Sequence, residues 1–578
     1  MFWRFCICDF EFHLHTGHPA MMSVEEGVRL TREGASADDL SGESPHFSAS
    51  GIPISSSGPT AAGSASARGG KHSHGGYDER KAETTIGLLI ENLISNSSDM
   101  KIWFLTLILA LGNAADAVEI CCIGFIMTEI PDITSKDKEF LTAAVFAGMF
   151  FGGLFCGFLS DSIGRKPCLL YSLGLNAVAG YASALAPNIP VLIACRVVGG
   201  IGIGGSVPSV FTLGAEMFPA PVRGKLLSVV ASFWMVGAIF TASVAWIMLG
   251  DDLSGNKILA STGWRSFATV CATPALVTFV LTYFFVSESP RFLLGKKQYT
   301  EAAAALEFIS GVPVKPMDLI GMQSEEDSAR SDDPIPSGRY AMAKLLSPPL
   351  IKTTLVLTVI WFTLCFGSYG ISTWISELFM DLGVSNAFLD SFIFSLANLP
   401  GNIVSIFYVE TLGRRRLLTY GMGLSAIAAF GFAIDTKHKE TVVLFAALFN
   451  AFSTVGWNSL DCLSCESFPT NVRTSAMGIL AAAGRLGAVL AQFVNGSLEG
   501  NVPLLLGVTC TSMVLGGLCS WLLDNDNTGT KLSDDVDEPS TRPKNVGGSV
   551  KPSPARIGGY TSIANTSTHS PLTKDNDL

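Results

Sequence analysis

Long apolar runs separated by polar connections occupy most of the chain between residues 100 and 523. An α-helix needs about 20 apolar residues to cross a bilayer, and twelve runs approach or exceed that length. The predicted spans are Ile102–Met127, Phe140–Leu159, Cys168–Leu185, Val191–Leu213, Leu226–Leu249, Phe267–Val286, Thr353–Trp374, Phe388–Val409, Leu417–Ile434, Val442–Leu463, Ala476–Val494 and Val502–Leu523. A polar, charged gap at 287–352 separates the sixth span from the seventh. The pattern therefore predicts an all-α membrane protein with two six-helix bundles.

Two loops occur twice at nearly the same offset. Glu410 follows Asp161 by 249 positions in a similar Gly-Arg context, and Glu466 follows Glu216 by 250 in a similar Phe-Pro context. Such repetition indicates a duplicated unit and predicts pseudo-symmetric halves. The acid beside cations in each loop could latch one bundle to the other, or could serve only to orient the helices; the second copy favours the latch. The predicted latch residues are Gly157, Asp161, Gly164, Arg165, Lys166, Glu216, Arg223, Glu410, Gly413, Arg414, Glu466 and Arg473.

The same pattern sets the predicted domain boundaries. Residues 1–84 and 524–578 are rich in small, polar and charged residues and are expected to be disordered. Bundles at 85–286, led by a short helix on the membrane surface, and at 353–523 flank a linker at 287–352. Lys and Arg concentrate in the linker and in the loops after even-numbered spans, which predicts cytoplasmic termini. The membrane is either the plasma membrane or that of an internal vesicle.

Composition narrows the class of protein. Only 15 % of the 578 residues are charged, whereas about 25 % is usual in soluble proteins. The net charge of −11 gives no basic domain for nucleic acid. Most of the 13 cysteines lie inside apolar runs, where a free thiol behaves as a small hydrophobe. We find no metal-ligand spacing and no nucleophile–base motif, so we expect no enzyme and no cofactor.

The duplicated loop, the run from Arg196 to Gly204 and the segment Ser287–Arg291 resemble the major facilitator superfamily, above all its sugar-porter branch. Four segments further resemble the synaptic vesicle glycoprotein 2 family and its transporter-like relatives: Ala115–Glu119, Phe233–Gly237, Gly367–Trp374 and Trp457–Asp461. The resemblance covers roughly residues 100–523 and implies the major facilitator fold, with twelve transmembrane helices.

Two departures from these families limit what the resemblance implies. The vesicle glycoproteins carry a large luminal domain between spans seven and eight, where this chain has only Ile375–Ala387. The glutamine-rich signature of sugar porters in span seven is also missing, since Trp361–Tyr369 contains no Gln. Roles tied to that domain, and a hexose substrate, are therefore weakly supported.

Charged side chains inside a bilayer cost at least about 2.5 kcal/mol each on insertion scales and usually mark function. Asp116 and Glu119 share one face of the first span, and Arg196 lies in the fourth. These residues either hold the bundle together or couple transport to protons. The resemblance to proton-linked sugar porters motivates the second hypothesis, in which Asp116 pairs with Arg196 until it is protonated.

The predicted solute site follows from the resemblance to the vesicle glycoproteins. Trp234, Tyr369, Trp457, Asp461 and Arg485 match cavity positions in that family. Two indoles and a phenol could hold a flat or cationic ligand, while the two charged residues fix its polar ends. Membrane anchoring or simple packing is the alternative for either Trp.

Taken together, the pattern and the resemblance predict a secondary transporter of a small polar or charged organic solute. The halves would rock about a midplane site by alternating access, with or without proton symport. The expected partners are the solute, protons and the lipid bilayer, and the transport unit is expected to be a monomer. The alternative is a vesicle-membrane protein or ligand sensor that retains the fold without transport.

Overall fold

The computed structural model describes residues 85–251, 263–329, 338–384, 386–409, 411–434 and 438–523. The predictions for both tails, for most of the acidic part of the linker and for Glu410 lie outside these residues. The described helices are α1 Thr85–Ser95, α2 Asp99–Glu129, α3 Ser135–Ile163, α4 Arg165–Ala184, α5 Ile189–Met217, α6 Arg223–Leu249, α7 Trp264–Phe285, α8 Pro290–Gly295, α9 Tyr299–Ser310, α10 Pro316–Ala329, α11 Gly338–Leu345, α12 Pro348–Asp381, α13 Ala387–Leu396, α14 Asn398–Tyr408, α15 Arg414–Ile434, α16 Lys439–Glu466, α17 Thr470–Ser497 and α18 Val502–Cys519.

Every predicted span coincides with helix in the structure. The N-terminal half comprises α2 to α7 and the C-terminal half α12 to α18, with α13 and α14 together forming the eighth span. Eleven of these spans are long and apolar enough to cross a membrane. The remaining helix, α4, is less apolar because Asn176, two tyrosines and several serines and glycines interrupt its apolar residues, and it packs between α5 and α7. The predicted fold class is confirmed.

The eighth span is broken where the sequence predicts one continuous helix over Phe388–Val409. Helix α13 ends at Leu396 and α14 begins at Asn398. Pro400 explains the break, since its ring nitrogen has no hydrogen to donate to the carbonyl of Leu396 and its ring clashes with that carbonyl. The Nδ2 of Asn398 instead donates to the carbonyl of Ser395 at 2.9 Å.

Glycines bring α3, α4 and α5 into backbone contact. A Cβ added to Gly200 would lie 2.2 Å from the carbonyl oxygen of Val145, and one added to Gly204 would lie 2.4 Å from that of Met149. Only glycine permits such an approach. The glycines of span four therefore form a helix-packing surface. Those glycines are Gly199, Gly200, Gly202, Gly204 and Gly205.

Helix α1 does not present its apolar face to a membrane surface, so that prediction is wrong. The apolar side chains between Ile86 and Ile94 are buried in one cluster with Leu306 and Ile309 of α9 and Leu319 of α10. The short linker helices thus join α1 in one apolar cluster that continues into the N-terminal half, for example to Leu109 and Leu213. The apolar spacing of three and four residues along α1 correctly predicted that one face of this helix is apolar. It did not show that linker helices cover that face.

The two halves meet along three helix pairs: α3 with α17, α6 with α13, and α2 with α12. We call the end of the bundle that carries Arg165 and Arg414 the basic face, and the other end the opposite face. Because a spanning helix runs from one end to the other, the middle of each helix lies between these faces.

Candidate functional site

Asp116 lies in the middle of α2 and is fully buried inside the N-terminal half. Its Oδ2 accepts a hydrogen bond from the hydroxyl of Ser206 at 2.6 Å, and its Oδ1 accepts one from Nδ2 of Asn176 at 3.2 Å. A buried carboxylate is tolerated only where such donors replace water. Neither donor was predicted from the sequence. Each is a polar residue within an apolar helix, and that pattern could have identified both.

Glu119, one turn further along α2, forms the ion pair that the sequence assigned to Asp116. Its Oε1 accepts a hydrogen bond from Nη1 of Arg196, and both side chains are almost completely buried. The predicted pair between Asp116 and Arg196 is therefore wrong. Spacing of three residues places both acids on one side of α2, but only the packing of α4 and α5 decides which acid meets the guanidinium.

An aromatic cluster occupies the C-terminal half beside Arg485. The ring centroid of Trp457 lies 5.7 Å from those of Tyr369 and Trp361. Nε1 of Trp457 donates to the hydroxyl of Ser368 at 3.0 Å, which fixes the orientation of the indole. Trp361, which lies in the segment without glutamine, was not predicted as a site residue.

Arg485 connects this cluster to the predicted charged groups. Its Nη1 donates to the hydroxyl of Tyr369 at 3.3 Å, and its guanidinium carbon lies 5.7 Å from the centre of that ring. It interacts electrostatically with Asp461 on α16 and with Asp116 in the other half. Asp461 is exposed. The guanidinium thus interacts with an acid of each half.

Trp234 lies apart from the cluster. It is half-buried on α6, and among the described residues we find no ring contact between it and Tyr369 or Trp457. The sulfur of its neighbour Met235 accepts a hydrogen bond from Nδ2 of Asn402 on α14 at 3.5 Å. The structure therefore brings together four of the five predicted solute-site residues and leaves Trp234 on the interface of α6 with the C-terminal half.

A ladder of amides on α14 and α16 was missed by the sequence analysis. Nδ2 of Asn458 donates to Oδ1 of Asn402 at 3.0 Å, and the hydroxyl of Thr454 donates to Oδ1 of Asn398 at 2.7 Å. All four side chains are half-buried. The break before Pro400 helps to turn the first of these amides toward α16. The presence of three Asn residues within apolar spans could have indicated these hydrogen bonds.

The predicted latch residues on the basic face form ion pairs within each half. Arg165 pairs with Asp161 at 3.2 Å and with Glu216 at 3.4 Å, and Arg414 pairs with Glu466 at 3.2 Å. The duplication therefore extends to the ion pairs. In this structure these contacts brace helices of one half and do not join the two halves as predicted.

The remaining latch residues support the same loops. Gly164 and Gly413 both have positive φ, +113° and +86°, which favours glycine. Lys166 donates from Nζ to the carbonyl of Tyr283 at 3.1 Å, and a Cβ on Gly157 would meet nothing within 4 Å. Arg473 donates from Nε to the carbonyl of Phe468 at 3.3 Å.

Arg223 differs from its counterpart Arg473, because α1 supplies an acid to it. Both carboxylate oxygens of Glu91 lie 3.0 Å from Nη2 of Arg223, and one of them is 2.9 Å from Nη2 of Arg291 on α8. Glu288 completes this region by accepting hydrogen bonds from the backbone of Arg165 and Lys166 at 3.1 and 3.2 Å. Burial raises the pKa of Glu288 above its ordinary value despite these donors.

Comparison with known proteins agrees with this geometry. The family model for sugar (and other) transporters matches residues 86–520. The niacin transporter NiaP of Acinetobacter baylyi is 31 % identical over 400 residues, covering 67 % of this chain and 85 % of the relative. Human synaptic vesicle glycoprotein 2C is 26 % identical over 576 residues, covering 74 % and 79 %.

Solved structures support the fold independently. The xylose transporter XylE from E. coli, in a partially occluded inward-open conformation, matches with a TM-score of 0.61 at 21 % identity, covering 75 % of this chain and all of that one. The family model and the relative NiaP are named as transporters and not as enzymes. The chain therefore belongs to the sugar (and other) transporter family, and it is a multi-pass membrane protein with the major facilitator fold.

Proposed function

We propose that this protein carries a small polar or charged organic solute by alternating access, with the solute bound between the halves beside Arg485. The observation that carries the proposal is the position of that guanidinium. It is held against Tyr369, whose ring centroid lies 5.1 Å from that of Phe146 in the N-terminal half, and it interacts electrostatically with Asp116 of that half. A solute that binds Arg485 would change the attraction between the halves, and movement of the halves is what transport requires.

The side chains around Arg485 favour a flat solute that carries charge. Tyr369 and Trp457 offer aromatic surfaces beside a cation, which suits a planar ring bearing a carboxylate. Asp461, which also interacts electrostatically with Arg485, would favour a second, positive group on the solute. The relative named as a niacin transporter makes niacin, a ring with one carboxylate, the first solute to test. Basic loops also support a cytoplasmic location for the basic face.

A binding test separates this site from general packing. Purified protein is screened by thermal shift against a metabolite panel containing niacin, at two pH values. The ligand that stabilises it is then titrated against the variant Trp457→Ala/Asp461→Ala. We expect binding to weaken by at least tenfold, because stacking and one charge are both lost. The control is Trp103→Ala, since Trp103 is 46 % exposed on the outer surface of α2. Unchanged affinity in the double variant would refute the site.

We propose further that Asp116 couples transport to protons. Protonation would remove the negative charge that attracts Arg485 while leaving the carboxyl group in its hydrogen bonds. Asp116→Asn keeps a similar shape without the charge. In proteoliposomes, flux of the identified solute should depend on an imposed pH gradient in the wild type and lose that dependence in the variant. Flux that ignores pH in the wild type would exclude coupling.

A non-transporting sensor is the second candidate. The likeness to synaptic vesicle glycoprotein 2C and the absence of Gln from Trp361–Tyr369 favour it. The same proteoliposomes distinguish the two, because a sensor would bind the solute by thermal shift without moving it. Time-dependent accumulation above protein-free vesicles supports the transporter.

A further inference from the structure

An ion-pair cluster joins the two halves at the opposite face. Lys138, in the first turn of α3, donates from Nζ to Oε1 of Glu377 on α12 at 2.7 Å and also to Oε1 of Glu499, which follows α17. We call these three residues the Lys138 triad. The lysine is buried and belongs to the N-terminal half, whereas both acids belong to the C-terminal half. The triad therefore ties α3 to two separate segments across the interface.

Further contacts between the halves lie at the same face. The Nδ2 of Asn386 donates to the carbonyl of Asp251 at 2.7 Å. The rings of Trp246 and Phe392 stack with centroids 5.7 Å apart. These residues stand at or near the ends of α6 and α13 that point away from the basic face. Together with the triad they close this end of the interface.

The basic face provides the contrast. Arg165 and Arg414, the cations of the duplicated loops, pair with acids of their own halves. In the part of the chain that the structure describes, the ion pairs of the Lys138 triad cross the interface, whereas the pairs Arg165–Glu216 and Arg414–Glu466 lie within one half. This is the pattern expected of a bundle closed at the opposite face.

We propose that the Lys138 triad is the electrostatic lock of the opposite face, which must break before the halves can separate there. The proposal rests on the proposed alternating-access function and names the residues that hold one of its two states. One ammonium serves two carboxylates inside a closed interface, where water cannot replace the lost partners at low cost. Opening exposes all three groups to water, so the lock is strong when closed and breaks without leaving a buried charge.

The test measures the distance between the halves and needs no solute. Spin labels are attached to genetically encoded ketone side chains, which avoids the exposed native thiols of Cys462 and Cys465. One pair, at Ser266 and Glu440, reports the opposite face, and another, at Lys225 and Arg416, reports the basic face. All four positions are exposed. Pulsed dipolar spectroscopy is carried out on wild type and variants in lipid nanodiscs.

Charge reversal by Lys138→Glu should open the opposite face. We expect the ratio of open to closed populations to rise by about tenfold or more, as for loss of a buried charged partner, with shorter distances at the basic face. Combining Lys138→Glu with Glu499→Lys keeps one ammonium and two carboxylates and should restore the wild-type distances. Lys136→Glu changes an exposed charge two residues away and should leave the distances unchanged.

Three outcomes would overturn the lock: unchanged distances in Lys138→Glu, an equal shift in Lys136→Glu, or no restoration in the double variant. If Lys138→Glu does not yield a monodisperse protein, Glu499→Gln takes its place, with a smaller shift in the same direction expected and no shift refuting the proposal. Because the distances are read without solute, failure here would leave the proposed transport function intact. Absence of flux in a protein whose distances respond as expected would refute transport instead.

Discussion

Removal of the carboxylate of Glu119 should destabilise the protein more than loss of most other intramembrane groups. Arg196 is 1 % exposed and Glu119 3 %. In Glu119→Gln the guanidinium would retain the sulfur of Cys122 at 3.4 Å, and its Nε already has no hydrogen-bond partner among the described residues. Loss of one partner of a buried pair costs about 3–5 kcal/mol, because the other charge stays buried.

That cost can be converted to a melting temperature. The structure describes roughly 400 residues. With the average unfolding entropy of about 2.1 cal/mol/K per residue in soluble proteins, the loss corresponds to a fall in Tm on the order of 3–6 °C. Thermal unfolding in detergent, followed by intrinsic fluorescence at one scan rate, provides the measurement. Arg416→Gln, which changes an exposed arginine, should leave Tm within about 1 °C.

A double-mutant cycle tests the reason for the loss as well as its size. Arg196→Gln should cost about as much as Glu119→Gln, and the double variant should cost clearly less than their sum, because neither residue is then left as a lone buried charge. Additive losses would show that the two side chains do not act as a pair. Single losses no larger than that of Arg416→Gln would refute the burial argument altogether.

Three further predictions concern the packing and the basic face. Gly204→Val should abolish folded protein on size exclusion, since a Cβ there would lie 2.4 Å from a carbonyl oxygen of α3, whereas Gly507→Val, with nothing within 4 Å, should fold. The pKa of Glu288 is raised in the folded protein, so its contribution to stability is complete below the ordinary glutamate pKa and is lost as pH rises through the folded-state pKa. Glu288→Gln should therefore reduce the fall in Tm across that pH interval, and a pH profile identical to that of the wild type would contradict this. Glu91→Gln should raise hydrogen exchange in α1, because it removes the charge that holds two arginines; unchanged protection would show that apolar packing alone holds the helix.

The fold followed from the sequence because a bilayer imposes length and polarity on each helix. Twelve apolar runs and two duplicated loops were sufficient for the architecture. The sequence did not show which helices cover the apolar face of α1. The linker helices that bury Ile86 to Ile94 are short, and their few apolar residues could pack against several different surfaces. The break at Leu396 was predictable in principle, because Pro400 lies two residues beyond the start of the next helix.

The candidate site was predicted in its residue types but not in its pairs. The cost of charge inside a membrane identified Asp116, Glu119 and Arg196 as a group. Which acid Arg196 meets depends, however, on the position of α5 along α2, and α5 is held by its glycines against α3 and α4. A shift of one helical turn, about 5.4 Å, decides between the two acids. Lys138 was counted only as a loop charge, because nothing in the sequence shows that α12 ends beside it.

Duplication separates the residues that build each half from the residues that distinguish the halves. The loop pairs Arg165–Glu216 and Arg414–Glu466 occur in both copies, so they belong to the frame that the halves share. The intramembrane charges do not: about 250 positions from Arg196, Asp461 and Arg485 the sequence has 444–447, 210–213 and 234–237, which contain no charged residue. Lys138 likewise corresponds to 386–389, again without charge. Two identical halves related by a two-fold axis would make each contact between them twice, once in each direction, whereas Arg485 and Lys138 each occur in one half and their contacts with the other half are made once. We expect selectivity and gating to depend on the charges that the duplication did not copy. Variants of those residues should alter solute binding and the opening of the opposite face, whereas variants of the shared pairs should alter stability.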